Sequence, residues 1–234
     1  MYEYLIGVLI MGFAWLILFF IRNDLRKSMI WSGFFYTTLL TLIFFVGRGI
    51  TTLVGLDWRV IPDYWNTDTL FNLGRITGGW SIEDMLFMFF AGGIIAVLYE
   101  ILFERRILNV KTRQHILSII GFLIAGTLTV ILFNFNPIYS LIIASLTGSI
   151  IIIIQRRDLF RHAIYGGISF TVVYFLGFSV FILIFPNLIQ NYWSLENLTK
   201  ILIIGVPIEE LLYAFSFGLM WAPMYEYIHG NKIK

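Results

Sequence analysis

The chain has no cysteine among its 234 residues, so disulfides, iron–sulfur clusters and thiol catalysis are excluded at the outset. Charge is scarce as well. Charged residues make up 13% of the chain against 59% hydrophobic ones, too little polar surface to coat a soluble globule. The formal net charge is only +2, and no basic cluster points to a nucleic-acid partner. No GxGxxG follows a strand-like run, and no HExxH or HxxxH pairs the three histidines. His115, His162 and His229 fall near expected helix ends and read as interfacial residues, so neither a metal nor a cofactor is expected. The alternation of a membrane β-barrel, in segments of about ten residues, is missing too.

What the chain has in quantity is apolar sequence. Several runs approach or exceed the roughly 18 residues that mark a transmembrane helix. In lipid a segment must satisfy its own backbone polar groups, so an all-α integral membrane protein follows. The N-terminus, MYEY, lacks the basic region and cleavage site of a signal peptide, so the first apolar run is expected to stay in the mature protein. The expected spans cover about 4–21, 29–46, 80–103, 116–133, 138–154 and 163–185, with a seventh starting at Pro207. Between the second and third lies a polar connection whose Trp58, Tyr64, Trp65 and Trp80 suit the headgroup layer. With the N-terminus outside, twelve of the sixteen basic residues fall on the inner side: Arg22, Arg26, Lys27, Arg105, Arg106, Lys111, Arg113, Arg156, Arg157, Arg161, Lys232 and Lys234. Only Arg48, Arg59, Arg75 and Lys200 fall outside, which gives an N-out, C-in orientation with seven spans. The expected location is the cell membrane.

Two stretches recur. Trp80 to Glu100 and Val206 to Glu226 align without a gap at an offset of 126, and eight positions coincide, among them Glu83/Glu209, Tyr99/Tyr225 and Glu100/Glu226. Asp84 and Glu210 match in charge. Each copy is an acid pair, a membrane-length apolar run and a closing Tyr-Glu. Upstream, Arg22 to Gly33 and Arg156 to Gly167 share R-x-D-L-x-[KR]-x-x-I-[WY]-x-G at an offset of 134. The repeating unit is helix, basic turn, helix, outer loop, acid-led helix. Residues 1–110 form the first three-helix unit, 111–136 a connector helix and 137–234 the second unit. One connector on top of three helices makes an even number, so the two units are expected to insert the same way round, related by a pseudo-two-fold along the membrane normal.

Two readings of the acids stand side by side. Ser81-Ile82-Glu83-Asp84 fits a capping box, Pro207 suits a first helical turn, and carboxylates there are favoured by the helix dipole. On that reading Glu100 and Glu226 are interfacial and face nearby arginines. The other reading starts from the cost of an acid at membrane depth, which normally buries it against a protein cavity. An acid held neutral there can donate a proton. Phe87, Phe90, Tyr213 and Phe217 could then line a polyene tunnel and steady a cation. Two other chemistries fail on single residues. The EExxxR motif of intramembrane CAAX-type proteases needs an arginine where Ala214 stands, and the seventh span has no interior lysine for a retinal Schiff base.

Pro207-Ile208-Glu209-Glu210 and its partner Ser81-Ile82-Glu83-Asp84, each followed by an apolar run ending in Tyr-Glu, resemble the P-x-E-E/D motif of the integral-membrane lycopene cyclase family of carotenoid biosynthesis. The resemblance spans both halves, as in the fused form of that family. Ser81 departs from the motif proline. The resemblance implies a redox-neutral, proton-initiated ring closure of a linear polyene, with Glu83, Asp84, Glu209 and Glu210 inheriting the proton-transfer role. It implies a hydrophobic isoprenoid or carotenoid substrate and no cofactor. A non-catalytic lipid- or polyene-binding protein and a small proton-coupled transporter are the other functions compatible with this sequence.

Overall fold

The structure is a computed structural model that describes residues 3–56, 58–104, 107–108 and 114–233. It is built almost wholly of helices: α1 (Glu3–Ile21), α2 (Arg26–Leu53), the short α3 (Leu73–Thr77), α4 (Ile82–Leu102), α5 (Leu117–Phe133), α6 (Pro137–Gln155), α7 (Phe160–Ile184), the short α8 (Leu188–Tyr192), α9 (Ile208–Trp221) and α10 (Met224–His229). Among the described residues, α1, α2, α4, α6 and α7 are long and apolar enough to cross a membrane, and α5 is a shorter apolar helix. Large apolar side chains such as Leu9, Phe13, Phe20, Ile124, Leu132 and Leu183 lie exposed along these helices. In water such a surface would aggregate; against acyl chains it is the ordinary outer face of a membrane bundle. The chain is an integral membrane protein.

The repeated R-x-D-L turn has the same local structure twice. At the end of α1, Arg22 leaves the helix (ψ 75°) and forks the Asp24 carboxylate at 3.0 and 2.9 Å. At the end of α6, Arg156 does the same (ψ 72°) with Asp158 at 2.8 and 2.7 Å. A single 3₁₀ turn follows in each case, and the motif leucine, Leu25 or Leu159, is buried before the next helix begins. The motif glycine is explained by packing. A Cβ on Gly33 of α2 would stand 2.7 Å from the Phe89 carbonyl of α4, and one on Gly167 of α7 would stand 3.2 Å from the Phe215 carbonyl of α9. Phe89 and Phe215 are themselves repeat partners, so the helices cross at matching points in both halves. Association in lipid draws little from the hydrophobic effect, because acyl chains are as apolar as leucine, and close backbone approach takes its place.

The element order therefore recurs. α4 packs on α1 and α2, and α9 packs on α6 and α7, with α5 against α6. α4 and α9 are the buried centre: every residue from Ala91 to Glu100 is buried. Tyr36 of α2 joins the two halves, fully buried between Phe217 and Trp221 at ring-centroid distances of 4.5 and 4.6 Å. Two-residue strands complete the fold, Ile107–Leu108 pairing with Lys232–Ile233 and Leu202–Ile203 with Val206–Pro207.

The structure departs from the sequence expectations at several points. α2 runs to Leu53 rather than stopping near residue 46, because Arg48 is accommodated by a hydrogen bond to the Trp58 carbonyl (3.3 Å) and Gly47 and Gly49 leave the helix uncrowded. The last acid-led segment is not one helix. Pro223 lacks an N–H and crowds the preceding turn, so the chain breaks between α9 and α10. The 14 residues of α9 make only about 21 Å of helix, short of the roughly 30 Å hydrocarbon core until α10 is added. Asp57 and five of the orienting basic residues, Arg105, Arg106, Lys111, Arg113 and Lys234, lie outside the described residues.

Gly33→Val and Gly167→Val should each force the paired helices apart and destabilise the bundle by about 1–3 kcal/mol, the range for overpacking. Gly49→Ala, which meets no neighbour within 4 Å, should be neutral or slightly stabilising. Thermal unfolding in detergent, followed by tryptophan fluorescence, distinguishes the two classes.

Candidate active site

The acids begin their helices, yet capping is only part of what they do. Ser81 is the N-cap of α4, accepting the Asp84 N–H at 3.2 Å. The four carboxylates are at most 5% exposed. They divide by position within each pair. Glu83 accepts the Leu70 N–H at 2.7 Å, and Glu209 accepts the Thr199 N–H at 2.7 Å and the Tyr139 hydroxyl at 3.0 Å. In both loops the next residue is left-handed, Phe71 at φ 55° and Lys200 at φ 65°. A non-glycine residue there stores about 1–3 kcal/mol of strain, which a charge-assisted hydrogen bond to the preceding N–H offsets. The first acid of each pair thus fastens its outer loop.

The second acid of each pair faces inward. Asp84 and Glu210 both line a cavity of about 880 Å³ between helices of both halves. Asp84 accepts the Tyr4 hydroxyl at 2.7 Å on one oxygen and the Ser81 hydroxyl at 2.6 Å on the other. Glu210 has three donors: the Tyr64 hydroxyl and the Trp193 indole N–H (2.8 Å) on one oxygen, and the Tyr174 hydroxyl (2.6 Å) on the other. The rest of the wall is overwhelmingly apolar and rich in aromatics. Of the residues expected to line a tunnel, Phe87 and Tyr213 do so. Phe90 and Phe217 do not. One turn deeper, Phe90 sits against Gly12 and Trp15 of α1, and Phe217 is stacked on Trp221 and against Tyr36.

The loop aromatics, expected at the headgroup layer, also form the roof of this cavity. Trp65 and Trp193 pair as an antiparallel β-bridge, with Asn66 N–H donating to the Tyr192 carbonyl at 2.6 Å and Ser194 N–H to the Tyr64 carbonyl at 3.0 Å. Their rings lie 5.8 Å apart, and Trp65 meets Tyr4 edge-on at 4.6 Å. The chain Asp84, Tyr4, Trp65, Trp193, Glu210 is continuous. Trp80 is buried on Phe44 at 5.4 Å. Tyr192 donates to Glu3 at 2.9 Å, and burial, with the carboxylate's help, pushes its hydroxyl up to about 12, so it remains a donor. The signal for this roof was present in the sequence as the dipeptide Tyr-Trp, which occurs at 64–65 and again at 192–193.

A second acidic cluster lies at the opposite end of α4. Glu100 and Glu226 are wholly buried, and His162, equally buried, stands between them with Nε2 3.7 Å from Glu100 Oε1 and Nδ1 3.8 Å from Glu226 Oε2. Among the described residues these three side chains form a cluster of metal-ligand type, although no metal site was expected from the sequence. His115 stacks on Tyr227 at 5.3 Å, and His229, partly buried, points Nδ1 at the Tyr225 carbonyl.

Two helical halves each present one carboxyl group to a shared, largely apolar chamber, in a membrane protein. The chain matches the family model described as lycopene cyclase over residues 2–102 and 136–228, and it belongs to that family. The interval between the two matched stretches contains α5. No curated protein and no solved structure matches the chain.

Trp65 and Trp193 form a pair without direct mutual hydrogen bonds, the geometry in which Cα atoms lie about 4.5 Å apart, within the span a disulfide bridges. In this cysteine-free chain the double substitution Trp65→Cys/Trp193→Cys should therefore cross-link on mild oxidation, while each single variant should not. Cleavage between the halves followed by non-reducing electrophoresis reads the outcome, and separate fragments would contradict the bridge.

Proposed function

We propose that the protein is a membrane cyclase of linear carotenoids or related isoprenoids, in which Asp84 is the general acid and Glu210 the general base. The observation that carries this reading is the convergence of these two carboxyl groups, one from each half, on one aromatic-lined chamber. In the step envisaged, the Asp84 proton adds to the terminal double bond of the polyene, the resulting cation is attacked by an internal double bond to close a six-membered ring, and Glu210 takes a proton from the ring. Atoms and electrons balance with no oxidant or reductant. Aromatic faces at Trp65, Trp193 and Phe87 offer cation–π stabilisation to the intermediate.

The division of roles rests on the partners of each acid. Both partners of Asp84 are hydroxyls, which accept as readily as they donate, so Asp84 can be satisfied with or without its proton. Glu210 is bonded by an indole N–H, which can only donate, together with two phenols. Those donors favour the charged form. Glu83 and Glu209 position the loops and do not touch substrate.

The accompanying topology is seven spans, α1, α2, α4, α5, α6, α7 and α9 with α10, N-out and C-in in the cell membrane. The units 1–110 and 137–234, joined by the connector 111–136 that contains α5, are related by a pseudo-two-fold along the membrane normal. Two meetings of repeat-equivalent residues support that axis: Trp65 with Trp193 at one end and Glu100 near Glu226 at the other.

Expression in cells that accumulate lycopene should yield cyclised pigment. Asp84→Asn and Glu210→Gln should lower its formation by about 10²–10⁴-fold, the usual worth of a general acid or base. Glu83→Gln and Glu209→Gln should cost less, and mainly through stability. In D₂O each ring formed should gain one deuterium. Unchanged lycopene with normal protein abundance would overturn the cyclase reading, and proton-linked uptake of a solute by reconstituted vesicles would favour a transporter instead.

A further inference from the structure

We propose that Glu100, His162 and Glu226 bind one divalent transition-metal cation that clamps α4, α7 and α10 together, independently of the proton-transfer site. Glu100 lies 16 residues beyond Asp84 on the same helix, about 24 Å away at 1.5 Å per residue. The cluster is therefore a second site.

Four observations converge. One ligand atom from each residue can be chosen so that all lie within 4.8 Å of one another, a few tenths of an ångström beyond the roughly 3–4.4 Å spacing of atoms bound about 2.0–2.2 Å from a common ion. Both oxygens of Glu100, both oxygens of Glu226 other than through the contacts just given, and both ring nitrogens of His162 are buried without a hydrogen-bond partner among the described residues. The positively charged neighbours are committed elsewhere. Arg156 forks Asp158 and donates to the backbone carbonyls of Asn231 (2.9 Å) and Glu226 (3.4 Å), and Arg22 forks Asp24. Finally, Tyr99 stacks on the His162 ring at 4.5 Å and 27°, fixing the plane in which its nitrogens point.

Charge then selects the guest. Two carboxylates removed from water, with Arg22 and Arg156 nearby but hydrogen-bonded to other groups, need further compensation, and a doubly charged cation with a neutral imidazole makes the three-residue cluster neutral. One imidazole with carboxylate oxygens favours a borderline ion of the zinc, manganese or iron(II) type, since calcium and magnesium prefer all-oxygen surroundings. The repeat argues for a single ion. Glu100 and Glu226 are equivalent, but the position equivalent to His162 is Ser28, which is buried with an unpartnered hydroxyl and supplies no second imidazole.

The test uses the full chain purified in detergent without chelator from cells grown with zinc, manganese and iron. Elemental analysis should find about one equivalent of transition metal per chain. Chelation should lower the thermal midpoint, and Zn²⁺ or Mn²⁺ should restore it. Glu100→Gln and His162→Gln, checked for folding by size-exclusion chromatography, should bind at least tenfold less metal and lose the response to added ion; Glu83→Gln should retain both. Monodisperse wild-type protein that carries no metal and does not respond to Zn²⁺ or Mn²⁺ would overturn the proposal and leave a proton-sharing carboxylate cluster. Retention of the ion by a folded Glu100→Gln/Glu226→Gln variant would overturn it equally. Neither readout depends on cyclase activity.

Discussion

A carboxylate taken out of water must be given donors or an opposite charge, and this requirement governs the whole molecule. Six buried acids lie on the two central helical segments, and each obtains its compensation differently. Glu83 and Glu209 take backbone N–H groups from the outer loops, which is why those loops can hold left-handed residues beside Leu70 and Thr199. Asp84 and Glu210 take hydroxyl and indole donors from α1, α7 and the loops between helices. Glu100 and Glu226 flank one imidazole at 3.7 and 3.8 Å, beyond hydrogen-bond reach, and are the pair whose compensation the protein's own side chains leave incomplete. The fold supplies long-range partners because a helix start can satisfy an acid through its own turn only in part.

Much of the architecture was legible in the chain because lipid imposes a simple rule on sequence. Uncharged apolar runs must be helical, so the main spans could be placed from residue type alone, and the family could be identified from paired acids at the head of two such runs. The duplicated R-x-D-L turn was legible as a pattern, but its meaning was not: an arginine forking the aspartate two positions on is a side-chain geometry that spacing does not announce. The break at Pro223 is local chemistry and could have been read from the proline itself. The extension of α2 to Leu53 could not, since it depends on where Arg48 finds a carbonyl.

The site was legible only in part, and the reason is angular. Neighbouring residues on a helix point about 100° apart, so Glu83-Asp84 and Glu209-Glu210 each send one acid to the loop and one to the cavity. Which does which depends on contacts from elements distant in the chain, such as Tyr4, Tyr64 and Tyr174. For the same reason Phe87 and Tyr213 line the chamber while Phe90 and Phe217 pack against α1 and α2, and the doubled Tyr-Trp dipeptide that roofs the chamber carries no mark of that place in its own sequence beyond its recurrence. His162 is the sharpest case. Its neighbours along the chain are Arg161 and Ala163, and nothing nearby signals that Glu100 and Glu226 arrive from other helices.

The roof has one more consequence. By joining Tyr64-Trp65 to Tyr192-Trp193, the chain lays an aromatic lintel over the chamber, while several residues of its walls, among them Ile10, Leu42, Val46, Leu176 and Val180, are also exposed on the flanks of the bundle. A greasy guest would therefore come and go sideways, between helices, directly from the bilayer in which it is dissolved. A molecule longer than the chamber could leave its tail among the acyl chains while only its end was held, and it would never have to pass through water.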